Sequence, residues 1–96
     1  MATLGLLAII TAKEGKGAVV KEELLKLIPP TRAEAGCLKY ELSADNKNPD
    51  RFVFIEEWET YDLWQDHMKS SHIAAHNKAV DGLTEPLQLF ELTLIK

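Results

Sequence analysis

Three histidines, His67, His72 and His76, fall within ten positions of one another in a chain that holds no others, and both tryptophans, Trp58 and Trp64, stand just before them. Imidazole is the side chain whose ordinary pKa lies nearest neutrality, so it can take up and release a proton at working pH. Indole supplies a large flat face. Glu56, two residues before Trp58, adds a carboxylate on the same side of an extended segment. A base, a flat wall and a second proton-holding group are what a pocket for a phenol or another aromatic acid needs. His67 or His72 is therefore the candidate base, and Glu56 the group to fix an imidazole tautomer or hold a phenolic proton. Trp58 is the candidate wall, with Trp64, Tyr40 and His76 as further substrate contacts.

Each of these residues has a plainer role to weigh. Glu56 alternates with Phe52, Phe54 and Trp58, so burial of that face obliges its carboxylate to find a donor, and Arg51, Arg32 or a lysine could supply one. Trp58 fits a core, and Trp64, three positions before His67, fits a staple between helix and sheet. His67 could cap or donate to the following helix, and His76 could be an ordinary residue of an amphipathic helix. His72 and His76 have the i, i+4 spacing that chelates a metal, and His67 could complete a trio. The serines between them interrupt the helix, and no carboxylate has the HExxH spacing, so no metal is expected. Cys37, the only cysteine, reads as a small buried apolar residue and permits no disulfide within the chain.

The elements that would hold these groups follow from the pattern of the 96 residues. Residues 3 to 12 form a strand apolar on both faces, which must be covered on both sides. After the glycines at 15 and 17, Val20, Leu24, Leu27 and Ile28 recur at helical spacing, opposite Lys21, Glu22, Glu23 and Lys26. Pro29 and Pro30 should kink or interrupt that helix, and a further turn over 31 to 35 should stop at Gly36. Residues 37 to 43 alternate as a strand near a sheet edge, and residues 44 to 50 form a turn rich in Asn, Asp and Pro that returns the chain antiparallel. Residues 51 to 58 are the next strand. Thr60 caps a helical region over 61 to 81 that breaks at Ser70 and Ser71 and ends at Gly82; residues 87 to 95 are a last strand.

Strand, helix, strand, strand, helix, strand is the order of the split βαβ, ferredoxin-like α+β fold, with both crossovers on one face of a four-stranded antiparallel sheet. The other sheet face would be left bare and apolar, so a homodimer with two sheets face to face is expected. Residues 1 to 96 fit one domain. A net charge of -4 and the lack of a basic cluster argue against nucleic acid. The apolar run from Leu4 to Ile10 has no basic flank, and it falls far short of the roughly 20 residues of a membrane span, so a cytoplasmic protein with no membrane role is expected.

Several of these residues also carry a resemblance. Glu34-Ala35-Gly36-Cys37 with Tyr40, then Phe54 to Trp58, then His67 and Ser71-His72, resemble the antibiotic biosynthesis monooxygenase (ABM) family, and its small quinol monooxygenase branch in particular. The resemblance spans nearly the whole chain. It implies a ferredoxin-like fold paired as a dimeric α+β barrel, and oxygenation of a quinol-like or polycyclic aromatic substrate by O2 with no metal, flavin or haem as cofactor. Such chemistry is reasonable because a deprotonated quinol is electron-rich enough to reduce dioxygen itself. The haem-degrading branch carries its iron ligand near His76, but also an asparagine on the first strand and a second tryptophan on the helix. Here the first strand has no asparagine and His67 stands at the tryptophan position, so haem degradation is disfavoured. Two other functions remain open at the level of sequence. One is an isomerase of a small phosphorylated signalling sugar, for which Arg32, Lys39 and Arg51 would have to grip the phosphate; the other is a binding or stress module without turnover.

Overall fold

The computed structural model describes residues 3–96 and places seven elements along them. They are β1 (Leu4–Thr11), α1 (Gly17–Arg32), β2 (Cys37–Ala44), β3 (Arg51–Trp58), α2 (Tyr61–Met68), α3 (Ser71–Ala79) and β4 (Gln88–Leu92). The strands form one antiparallel sheet in the order β2-β3-β1-β4. This is the expected α+β, ferredoxin-like arrangement, with the second crossover built from two helices.

Strand alternation divides the sheet into two unlike faces. Leu6, Ala8, Ile10 and Ala12 of the first strand segment, and Phe52, Phe54, Glu56 and Trp58 of β3, are buried on the helix side. Val20, Leu24 and Leu27 of α1, with Trp64, Ile73 and Val80 from the second crossover, close over them. The opposite face carries Leu7, Ile9, Val53, Ile55, Phe90 and Leu92 as cross-strand neighbours with no helix over them. Ile55, Phe90 and Leu92 are 43 to 48% exposed.

Three expectations about element ends are corrected. The first helix runs unbroken through Pro29 and Pro30 to Arg32. The prolines forfeit hydrogen bonds to the carbonyls four residues back, at Leu25 and Lys26, and both of those residues are exposed, so water can satisfy them. The extra turn to residue 35 does not form; Arg32 instead donates from Nε and Nη2 to the carbonyl of Tyr40, and Gly36 at φ 83° turns the chain into β2. The last strand pairs only over Gln88–Leu92, and Leu94 and Ile95 extend beyond it into solvent. An edge strand whose residues are all exposed has little to hold its final residues in register.

Candidate functional site

Thr60 caps α2, its Oγ1 accepting from the Leu63 amide at 3.1 Å, and Ser70 caps α3 by accepting from the Ile73 amide at 3.3 Å. The break between them redirects the chain so that His67, in the last turn of α2, and His72, in the first turn of α3, face one another with ring centroids 5.8 Å apart. A continuous helix would have set residues five apart on diverging faces.

Both imidazoles meet one oxygen. His67 Nδ1 lies 2.6 Å and His72 Nε2 3.0 Å from Oε2 of Glu34, which stands in the loop between α1 and β2. That loop is held at both sides: Arg32 is tied to Tyr40, the Glu59 amide donates to the Gly36 carbonyl at 2.9 Å, and Gly36 lies so close to Leu63 that a Cβ would overlap it. Sequence reasoning gave Glu34 no role, since 33 and 38 residues separate it from its partners. Its one signal was its place in the Glu-Ala-Gly-Cys run.

Glu56 has a different partner from those expected. Its Oε1 accepts from the Trp58 indole Nε1 at 3.0 Å, while Arg51 lies near Asp45 and Thr11 and Arg32 serves the Tyr40 carbonyl. One neutral donor is thin compensation for a carboxylate only 7% exposed. Burial raises its pKa to about 7, the nearby Glu34 adds to the rise, and the indole bond opposes it. The same burial acts in the opposite sense on His67, which is 2% exposed: desolvation lowers its pKa, outweighs the bond to Glu34 and so favours the neutral ring. Tyr40 stacks on Phe54 at 4.4 Å and has its phenol pKa raised by burial, then by Glu56.

Between the helices and the sheet lies a cavity of about 220 Å³. His67, Glu56, Tyr40, Trp64 and His76 line it together with apolar side chains from every layer, including Ala8, Leu24, Phe54, Ile73 and Leu89. His76 has its pKa lowered by burial, and its Nδ1 is buried without a hydrogen-bond partner among the described residues. Trp58 and His72 are outside this lining. Trp58 is fully buried and packs against His67 with centroids 4.9 Å apart, so it backs the imidazole. His72 reaches the cavity only through Glu34 and His67. A larger, more open hollow of about 520 Å³ beside α1 and β2 contains Arg32 but none of the histidines, tryptophans or Glu56.

Glu34, His67 and His72 also have the ligand types of a metal site, with ligand atoms within 4.8 Å of one another. The 2.6 and 3.0 Å separations are hydrogen-bond distances, below the roughly 3.4 Å between two ligands on a tetrahedral ion with bonds near 2.1 Å. As arranged, the trio suits proton chemistry better than coordination.

Against known proteins, the family model described as antibiotic biosynthesis monooxygenase matches residues 3–79. The probable quinol monooxygenase YgiN of Escherichia coli (strain K12) is 30% identical over 71 residues, covering 66% of this chain and 68% of that protein. The crystal structure of PA3566 from Pseudomonas aeruginosa superposes with a TM-score of 0.95 at 30% identity, over 100% of this chain and 97% of the other. Protein SO0527 from Shewanella oneidensis gives 0.90 at 28% identity, over 97% and 91%.

Proposed function

Since this chain belongs to the antibiotic biosynthesis monooxygenase family, we propose that it oxidises a quinol-like aromatic molecule with O2 in the cavity, the substrate supplying the electrons and no further cofactor taking part. The observation that carries this reading is the pairing of a buried neutral imidazole, His67, with a protonatable carboxyl, Glu56, on the wall of one largely apolar hollow.

Proton removal comes first. His67 takes the phenolic proton of the bound quinol, and the low polarity of the surroundings leaves the quinolate poorly solvated and strongly reducing. Electron transfer from the quinolate to dioxygen gives a semiquinone and superoxide, which combine at a ring carbon as a peroxide anion, and the proton taken by His67 returns to it to give the hydroperoxide. Loss of water from it leaves a hydroxyquinone: one oxygen atom of O2 enters the ring and the other leaves as water. Glu56, in its protonated form, can hydrogen-bond to the substrate's second oxygen or supply a proton to the departing hydroxide. Trp64 and Tyr40 provide flat surfaces, Trp58 keeps the imidazole in place from behind, and His76 gives a polar point on the wall.

The size and lining of the cavity support this substrate class. An engineered apolar cavity of roughly 150 Å³ holds one benzene ring, so about 220 Å³ suits a small ring system better than an extended polycycle. Among the described residues the lining holds no Lys or Arg, and its carboxylates are Glu56 and Glu85. A phosphorylated sugar would find no cation there, which counts against the isomerase reading. Residues 1–96 act as one domain in this proposal. The bare sheet face pairs with a second copy to form a homodimer, because Ile55, Phe90 and Leu92 are otherwise left in water.

The test is oxygen uptake by metal-stripped protein with a panel of quinols and anthrones under ¹⁸O2. Uptake above buffer, with one labelled atom in the product, is expected. Binding that protects the fold thermally without any product would instead favour a module without turnover.

A further inference from the structure

The shared oxygen of Glu34 imposes an order on the two histidines that neither has alone. A carboxylate can only accept, so a ring nitrogen bonded to it must carry the proton. The partner nitrogen is Nδ1 in His67 and Nε2 in His72. In the neutral rings the two histidines are therefore opposite tautomers, and the unprotonated nitrogen of His67 is Nε2, on a ring that lines the cavity. Free imidazole side chains in water favour the Nε2–H form, in which that nitrogen could not accept a proton.

We propose that Glu34 is a positioning residue for this site: it holds His67 in the Nδ1–H tautomer with Nε2 free to act as base, and His72 is a second donor that fixes the Glu34 carboxylate and does not touch substrate. This rests on the reading of His67 as the base. Three independent features fit it. The 2.6 Å bond is short, as charge-assisted bonds are. The loop carrying Glu34 is clamped by Arg32 and Gly36, so the carboxylate arrives at a fixed place. His72 is outside the cavity lining although it lies within hydrogen-bond reach of the same oxygen. When His67 accepts a proton, the resulting imidazolium faces Glu34, with His72, Tyr40 and Glu56 as the other titratable groups around it. Of these, the Glu34 carboxyl makes the shortest contact with the ring, at 2.6 Å.

Long-range ¹H–¹⁵N correlation spectra of the wild-type protein, recorded above pH 7.5 without substrate, read the tautomers directly. His67 is expected as Nδ1–H and His72 as Nε2–H; His67 found as Nε2–H overturns the proposal whether or not the protein turns over any quinol. If the tautomers are as expected and no oxygen is consumed, the positioning stands and the oxygenase reading fails. In E34Q and E34A the His67 population should move toward Nε2–H. Oxygen uptake should fall in kcat by about 10²-fold with KM little changed, the scale on which loss of a correctly placed base acts. The acidic limb of the rate profile should also change, because the imidazolium has lost its anion. A folded Glu34 variant with the wild-type tautomer, kcat and pH profile contradicts it. H72Q, which keeps a side-chain N–H for Glu34, should retain most of the activity that H72A loses; equal and complete loss in both would make His72 a base in its own right.

Discussion

Burial drives Glu56 and His67 on the cavity wall toward their uncharged forms, and this makes Glu56 a stability liability as well as a candidate acid. Its carboxyl keeps its proton in the folded chain up to about pH 7, whereas the unfolded chain releases it above the ordinary 4.5. Between those values the unfolded state binds fewer protons, so stability falls as pH rises from 4.5 through about 7 and stays low beyond. Glu56→Gln removes the titration and keeps an oxygen for the Trp58 indole. Thermal melts should show the variant more stable than wild type at pH 8, by up to roughly 3 kcal/mol, and nearly equal at pH 4. Equal melting points at both values would mean that the carboxyl is not desolvated. The identities of these groups were legible in the sequence; their pairings were not. The alternation of Phe52, Phe54, Glu56 and Trp58 announced a buried carboxylate, but an indole on its own strand face reaches it, not a cation. The role of Glu34 was not legible beyond its place in the Glu-Ala-Gly-Cys run, because its partners lie more than thirty residues away and only the break at Ser70 brings both to it.

The elements show the same division between local and distant causes. Thr60 and Ser70 sit where a capping residue belongs and each accepts its cap bond, while Ser71, the other serine that could have capped, is the first residue of α3. The start of α1 has no such local signal: Lys16 makes no side-chain cap, and Asp50, from the turn before β3, does so across the fold. Its carboxylate accepts from the amides of Gly17 at 2.9 Å and Gly15 at 3.2 Å. Asp50→Ala should destabilise the protein by about 0.5 to 2 kcal/mol in chemical denaturation, the range for loss of a helix cap. Gly17→Ala should cost at least as much, because its Cβ would run into the Pro49 carbonyl and the Asp50 carboxylate. A neutral result for Asp50→Ala would assign the start of the helix to packing of Val20 and Leu24 alone. The prolines mislead for a related reason: the sequence cannot reveal that the residues whose carbonyls they orphan are exposed.

At the scale of the molecule, the order of strands and helices was enough to recover the sheet, because each apolar period fits only one layer. The sheet face left without helices is where a second copy is proposed to pack. Introducing a charge there, as in Phe90→Asp, should convert a dimer into monomers in sedimentation or light scattering and lower the melting temperature; a wild-type protein that is monomeric at high concentration would remove the dimer from the account. No helix among the described residues is long and apolar enough to cross a membrane. The whole fold, in this view, serves to bring a neutral imidazole and a protonated carboxyl to one small hollow. The most direct test is the rate of oxygen uptake by His67→Ala beside wild type, with the quinol that wild type oxidises fastest, from pH 5 to 8. Wild type should lose rate toward acid pH as His67 gains a proton, and the variant should be slower by about 10²- to 10⁴-fold at pH 7 to 8. A folded His67→Ala protein that consumes oxygen at the wild-type rate would contradict the assignment.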